Sequence, residues 1–267
     1  MEHLQLISLG SFCGMKFAIQ RLGLGDAHLP FDWIRTTSKG LGHFLWNGFE
    51  RFFEANRYDL DSGTVHRAEQ HSFWHDDVSQ PEVREKLQRR VCRFLDLAND
   101  FKSQPRDLLF LRSCACTDEL NDVEELYSAL IQRFVPGSRN RVLLAVVIDG
   151  QERREGPIFH ASLPGLAFFL QPLNQEGSLD GKAFSWAVGA ACDAALQRCS
   201  EGFATGPSPR VVQSGADLLE GRYQGGPGRP IDFCDAGLRS GFGDFDCFEP
   251  SSLPSRTENH KDERSME

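Results

Sequence analysis

Apolar residues along this chain come in two forms: short unbroken runs, and stripes at three- and four-residue steps. Residues 4–9 form the first run and predict a strand. Gly10 permits a sharp turn, and Ser11 suits the N-cap of a helix over 12–22, where Ala18, Ile19 and Leu22 fall at helical spacing. Gly23-Leu24-Gly25-Asp26 ends that helix, and Pro30-Phe31-Asp32-Trp33 makes a short apolar loop. From Ser38, the residues Leu41, Phe44, Leu45, Phe49 and Phe52 predict a second helix, although Gly40, Gly42 and Gly48 are poor helix formers.

His71–His75 is strand-like and ends in Asp76-Asp77. Pro81 then opens a helix with Val83, Leu87, Val91, Phe94, Leu95, Ala98 and Phe101 on its apolar stripe. Asp107–Arg112 predicts a strand. Thr117 is placed to cap a helix with Leu120, Val123, Tyr127, Leu130, Ile131 and Phe134 inward. Val142–Ile148 is continuously apolar, the mark of a strand covered on both faces as in parallel sheets, and Phe168–Leu170 is a further short strand. Phe184, Val188, Ala191, Cys192, Ala195 and Cys199 line a last helix.

Strands alternating with helices predict a layered α/β/α domain with a mostly parallel central sheet over residues 1–202. Residues 203–249 form an irregular, partly docked extension. It is rich in Gly, Pro and Ser over 203–230, and its phenylalanine-containing piece Ile231–Phe248 is the part expected to dock. Residues 250–267 are polar and charged without periodicity and predict a disordered tail.

Composition narrows the partners. A formal charge of −9, with no basic stripe, excludes a nucleic-acid footprint. The basic run from Arg84 to Arg93 is interleaved with Glu82 and Glu85 and predicts a solvated helix face. No apolar run is long enough to span a membrane, and Met1-Glu2-His3 does not resemble a secretory leader, so a cytoplasmic protein is expected. The eight cysteines then read mainly as free thiols. They and the histidines lack zinc-ligand spacing, and no dinucleotide or phosphate-loop signature is complete. No metal and no cofactor is expected.

Ligands of open α/β sheets bind beyond the carboxyl ends of the strands. The residues just past those ends are Ser11 and Cys13, then His75 and Asp76, then Arg112 with Ser113, then Asp149. Cys13 at the start of a helix would have its thiolate favoured by unpaired N–H groups and the helix dipole. A thiol, an imidazole, carboxylates and a guanidinium on one rim would suit nucleophilic catalysis. Each also has a plainer role. Cys13 fits as a packing residue, His75 as a strand cap, Asp32 and Asp149 as turn formers, and Arg112 as a tie between loops.

Ile7-Ser8-Leu9-Gly10-Ser11-Phe12-Cys13, Leu22-Gly23-Leu24 and Pro30-Phe31-Asp32-Trp33-Ile34 together resemble the opening of the DUF1796 family, described as papain-like cysteine peptidases. The resemblance continues through His75-Asp76, Arg89-Arg90-Val91-x-Arg93-Phe94 and Leu109-Phe110-Leu111-Arg112, and so covers about residues 4–200. It implies Cys13 as nucleophile, His75 as base, and Asp32 or Asp76 as third member. Ser11, Trp33, Arg112 and Asp149 stand as substrate-binding candidates. The implied function is a cysteine-dependent hydrolase or acyl transferase acting on a peptide or small molecule. The alternatives are an α/β protein that binds or modifies a sugar, nucleotide-sugar or phosphorylated ligand, and an inactive binding module. A papain fold carries its histidine on an antiparallel sheet, whereas the strand pattern here is parallel.

Overall fold

The computed structural model describes residues 4–11, 14–25, 27–60, 63–98, 106–114, 117–136, 140–148, 151, 154–172, 182–199 and 210–219. Its central sheet has six strands: β1 (Leu4–Ser8), β6 (Asp107–Ser113), β7 (Arg141–Ile148), β9 (Leu166–Leu170), β8 (Glu155–His160) and β10 (Arg210–Val212), in that spatial order. The pairs β1/β6, β6/β7, β7/β9 and β8/β10 are parallel; β8/β9 alone is antiparallel. The protein is therefore a mixed α/β structure with a mostly parallel sheet, as the unbroken apolar run of β7 predicts.

That run is apolar throughout because both faces of the strand are covered. Leu144, Val146 and Ile148 join one hydrophobic cluster, while Ala145 and Val147 join another. The second cluster is completed by Met15, Ala18 and Ile19 of α1 (Gly14–Arg21) and by Phe184, Val188 and Ala191 of α5 (Lys182–Cys199). The first takes Leu87, Val91 and Phe94 from α3 (Pro81–Asp96) and Leu126, Leu130 and Phe134 from α4 (Val123–Phe134). Phe94 meets Phe134 edge-on at 5.3 Å, and Phe134 lies 5.1 Å from Phe110 of β6.

Between β1 and β6 the chain builds a second, antiparallel sheet that the apolar pattern does not announce. Its order is β2 (Ile34–Thr36), β5 (His71–Phe73), β4 (Gly63–Arg67) and β3 (Asn56–Leu60). β3 escapes a hydrophobicity count because Asn56, Arg57, Tyr58 and Asp59 are all exposed. Beneath this sheet α2 (Ser38–Asn47) and the turn after it supply Phe44, Phe49 and Phe52. Phe44 and Phe49 stack at 5.6 Å, and the His71 ring lies parallel to Phe52 at 4.8 Å. The chain's 21 Phe against three Tyr are thus explained in part by a buried aromatic cluster with no need of hydroxyl handles. The helix forms despite its glycines because Thr37 caps it, accepting from Gly40 N at 2.9 Å. Gly40 itself is required, since a Cβ there would stand 2.5 Å from Gln70 O.

Three expectations are corrected. Thr117 opens a 3-10 turn, Thr117–Asn121, and Asp122 takes the N-cap position of α4. The run ending at Phe73 belongs to the antiparallel sheet, so His75 and Asp76 do not come after a strand of the parallel one. Arg210–Val212, inside the segment expected to be linker-like, extends the central sheet by pairing with Ile158–His160. α6 (Ala216–Leu219) comes next, with Leu218 buried. Ile231–Phe248 and the tail lie outside the described residues. Among the described residues no helix is long and apolar enough to cross a membrane.

Candidate functional site

Gly10 turns the chain out of β1 with φ of +68°, and a Cβ there would lie 2.5 Å from Phe31 O. That close approach presses the end of β1 onto the Phe31–Ile34 loop. Ser11 is buried with φ of 114°, unlike the extended backbone of an N-cap, and α1 is described from Gly14. Ser11 is therefore a turn residue. Phe12 and Cys13, the two residues immediately before α1, lie outside the described residues, as does Asp149.

Asp32 is fully buried in the loop before β2. Its Oδ2 accepts from Leu29 N at 2.8 Å and lies 3.4 Å from Lys16 Nζ, which also donates to Gly25 O and Ala27 O. Its Oδ1 has no hydrogen-bond partner among the described residues. Burial raises the Asp32 carboxyl to about 6 against the pull of Lys16.

Trp33 joins this loop to two histidines. Its Nε1 donates to His28 Nδ1 at 3.3 Å, and its ring meets that of the exposed His75 edge-on at 6.4 Å. His28 lies 3.8 Å from Asp32 Oδ2, and burial with the charges of Arg90, Lys16, Arg93 and Lys86 lowers its pKa. Asp76 receives Lys86 Nζ at 2.6 Å. Arg93 donates to His28 O at 2.8 Å. Arg90, between them on α3, is 8% exposed, and its Nη1 has no hydrogen-bond partner among the described residues.

The structure thus gathers Asp32, Trp33, His75 and Asp76, four of the residues picked out in the sequence, around one cluster. Among the described residues, His75 is not a hydrogen-bond or ion-pair partner of either carboxylate; Asp32 has Leu29, Lys16 and His28, and Asp76 has Lys86. Arg112 stands apart. It is wholly buried within β6, donating to Glu119 Oε2 from Nε at 3.1 Å and Nη2 at 2.6 Å, to Leu9 O and to Thr36 O. Glu119 Oε2 also accepts from Ser38 N and Oγ. The guanidinium ties three segments together, and the anion-receiving role finds no support in this geometry.

Lys16, His28, Lys86, Arg90 and Arg93 do not lie at strand ends, so a search along those ends misses them. Arg90 carried a signal nonetheless: it lies three residues after Leu87 and four before Phe94, on the buried stripe rather than the solvated face. Three other thiols differ sharply in their surroundings. Cys114 is buried, Cys92 is exposed, and burial pushes Cys192 up to about 11. A narrow crevice between the sheet and α5, lined by Leu109, Ala145, Phe169 and Ala191, holds none of these groups.

Residues 4–72 match the model of the family described as "Putative papain-like cysteine peptidase (DUF1796)". The match takes in β1 through most of β5 and stops short of His75, a narrower span than residues 4–200. A stretch of 55 residues is 42% identical to the Uncharacterized protein R408 of Acanthamoeba polyphaga mimivirus; it amounts to 20% of this chain and 25% of that protein. No solved structure matches the chain.

Proposed function

We propose that this protein is a cysteine-dependent hydrolase or acyl transferase in which Cys13 is the nucleophile and His75 the base. The observation that carries it is the contact of His75 with Trp33, because it brings a histidine lying beyond the family-matched segment against that segment's Pro-Phe-Asp-Trp motif. The position of His75, two residues after β5 of an antiparallel sheet, supports the papain-like comparison better than the parallel strands alone.

In this reading His75 accepts the Cys13 thiol proton, and the thiolate sulfur bonds to a substrate carbonyl carbon. The backbone N–H groups of the Phe12–Gly14 segment hold the oxyanion. His75 returns the proton to the leaving amine or alcohol as the thioester forms. Water or an acceptor nucleophile, deprotonated by His75, then releases the acyl group. Asp32 acts as a positioning residue through Trp33, whose loop it holds by Leu29 N. The proposal takes the chain from β1 through β10 and α6 as a layered α/β/α domain acting in the cytoplasm on a peptide or small-molecule carbonyl.

Alkylation by iodoacetamide, followed peptide by peptide in the native protein, tests this directly. Cys13 should react faster than the exposed Cys92 and keep its rate below the ordinary thiol pKa of about 8.5. His75→Ala should slow Cys13 and leave Cys92 unchanged. A Cys13 rate at or below that of Cys92, with the same pH dependence, sinks the assignment.

A further inference from the structure

We propose that Arg90, flanked by Lys86 and Arg93 on α3, is a binding site for an oxyanion, the carboxylate or phosphate group of a ligand. It lies in the cluster that holds Asp32, Trp33 and His75, and it does not depend on the proposed nucleophile chemistry.

Arginine offers five N–H donors in a fixed fork, and burying a guanidinium without acceptors costs on the order of several kcal/mol unless something fills the gap. Arg90 is 8% exposed, its Nη1 is unsatisfied, and among the described residues no acceptor or carboxylate bonds its guanidinium. Of the nearby carboxylates, Asp76 is paired with Lys86 and Asp32 Oδ2 with Lys16 and Leu29 N, while the buried Asp32 Oδ1 has no partner among the described residues and does not bond the guanidinium. Both carboxylates are felt electrostatically by Arg90, yet neither closes an ion pair with it.

The charge balance points the same way. Lys16, Lys86, Arg90 and Arg93 outnumber Asp32 and Asp76, and burial with these cations disfavours the charged form of His28, so the cluster is cationic within a chain of net charge −9. Arg112, by contrast, has its donors on protein acceptors. An incoming carboxylate or phosphate would supply what Arg90 lacks, with bidentate geometry available from the fork.

Titration calorimetry of the full chain with inorganic phosphate, and separately with acetate, is the test. Whichever anion binds identifies the ligand group. Arg90→Gln should weaken that binding by at least about tenfold, the loss expected for a charged hydrogen bond, while Arg51→Gln at an exposed site should not change it. Should Arg90→Gln fail to fold, wild-type protein serves. The bound anion should slow phenylglyoxal modification of Arg90 and leave that of Arg51 unaltered. Equal binding by the two variants overturns the proposal, as does no binding of either anion or an Arg90 modification rate indifferent to both. Cys13→Ala should bind the anion as wild type does, so loss of the nucleophile reading and loss of this one are told apart.

Discussion

Lys16 Nζ and Asp32 Oδ2 lie 3.4 Å apart with side chains 3% and 0% exposed. The pair fastens α1 to the loop that presents Trp33. The attraction does not offset the burial of the carboxylate, and Asp32 is raised from 3.8 to about 6. A raised acid stabilises the fold fully below its unfolded pKa and loses that contribution as pH climbs through the folded one. Wild type should therefore lose about 2 kcal/mol relative to Asp32→Asn between pH 4 and pH 7. Urea unfolding of both proteins across that range measures it, and a constant difference would refute it.

His71 should act in the opposite sense. Its Nε2–H donates to Phe52 O at 2.8 Å while its ring stacks on Phe52, and burial lowers it from 6.5 to about 4 despite that hydrogen bond. A lowered base stabilises the fold above its unfolded pKa and loses that contribution as pH falls through the folded one. His71→Leu should gain on wild type as pH drops from 6.5 toward 4. NMR should show the wild-type ring staying neutral down to about pH 5. Across pH 4–6 the Asp32 and His71 slopes oppose, so the wild-type profile should be flatter than either variant comparison.

Removing one member of the Arg112–Glu119 pair strands the other in the interior. Glu119→Leu should destabilise by about 3–5 kcal/mol, and the double variant Arg112→Met with Glu119→Leu by less than the sum of the singles. Phosphate or acetate binding at Arg90 should survive in whichever variants fold.

Two glycines separate steric need from mere tolerance. Gly10→Ala must resolve a 2.5 Å contact with backbone oxygen at positive φ and should cost more than about 2 kcal/mol. Gly42→Ala in α2 meets nothing within 4 Å and should stabilise by about 1 kcal/mol. Thermal melts rank them against wild type.

Regular periodicity made α3, β6, β7 and α5 legible, because each buries a face large enough to stamp its spacing on the chain. β3 and β10 were not, since an exposed hairpin strand and a three-residue edge strand bury too little to leave a pattern. The same limit applied to the site. Asp32 and His75 stood out beside aromatic motifs, whereas Arg90 was hidden among solvated basic neighbours and is distinguished only by its place on the apolar stripe. Arg112 ended a correctly read strand but met Glu119 and two backbone carbonyls, partners that no spacing discloses.

β10 seals the flank of β8, and this sets where the chain can be cut. Arg210–Val212 lies in register beside Ile158–His160, occupying the β8 backbone donors and acceptors that would otherwise face outward. A fragment ending at residue 202 would bare that strand as a template for another molecule's strand, inviting self-association and precipitation. A fragment ending after Leu219 would keep the seal and also retain the Gly215 N–H bond to Glu124 on α4. Solubility and light scattering of the two fragments would show the difference, and expression work on this protein should begin from the longer one.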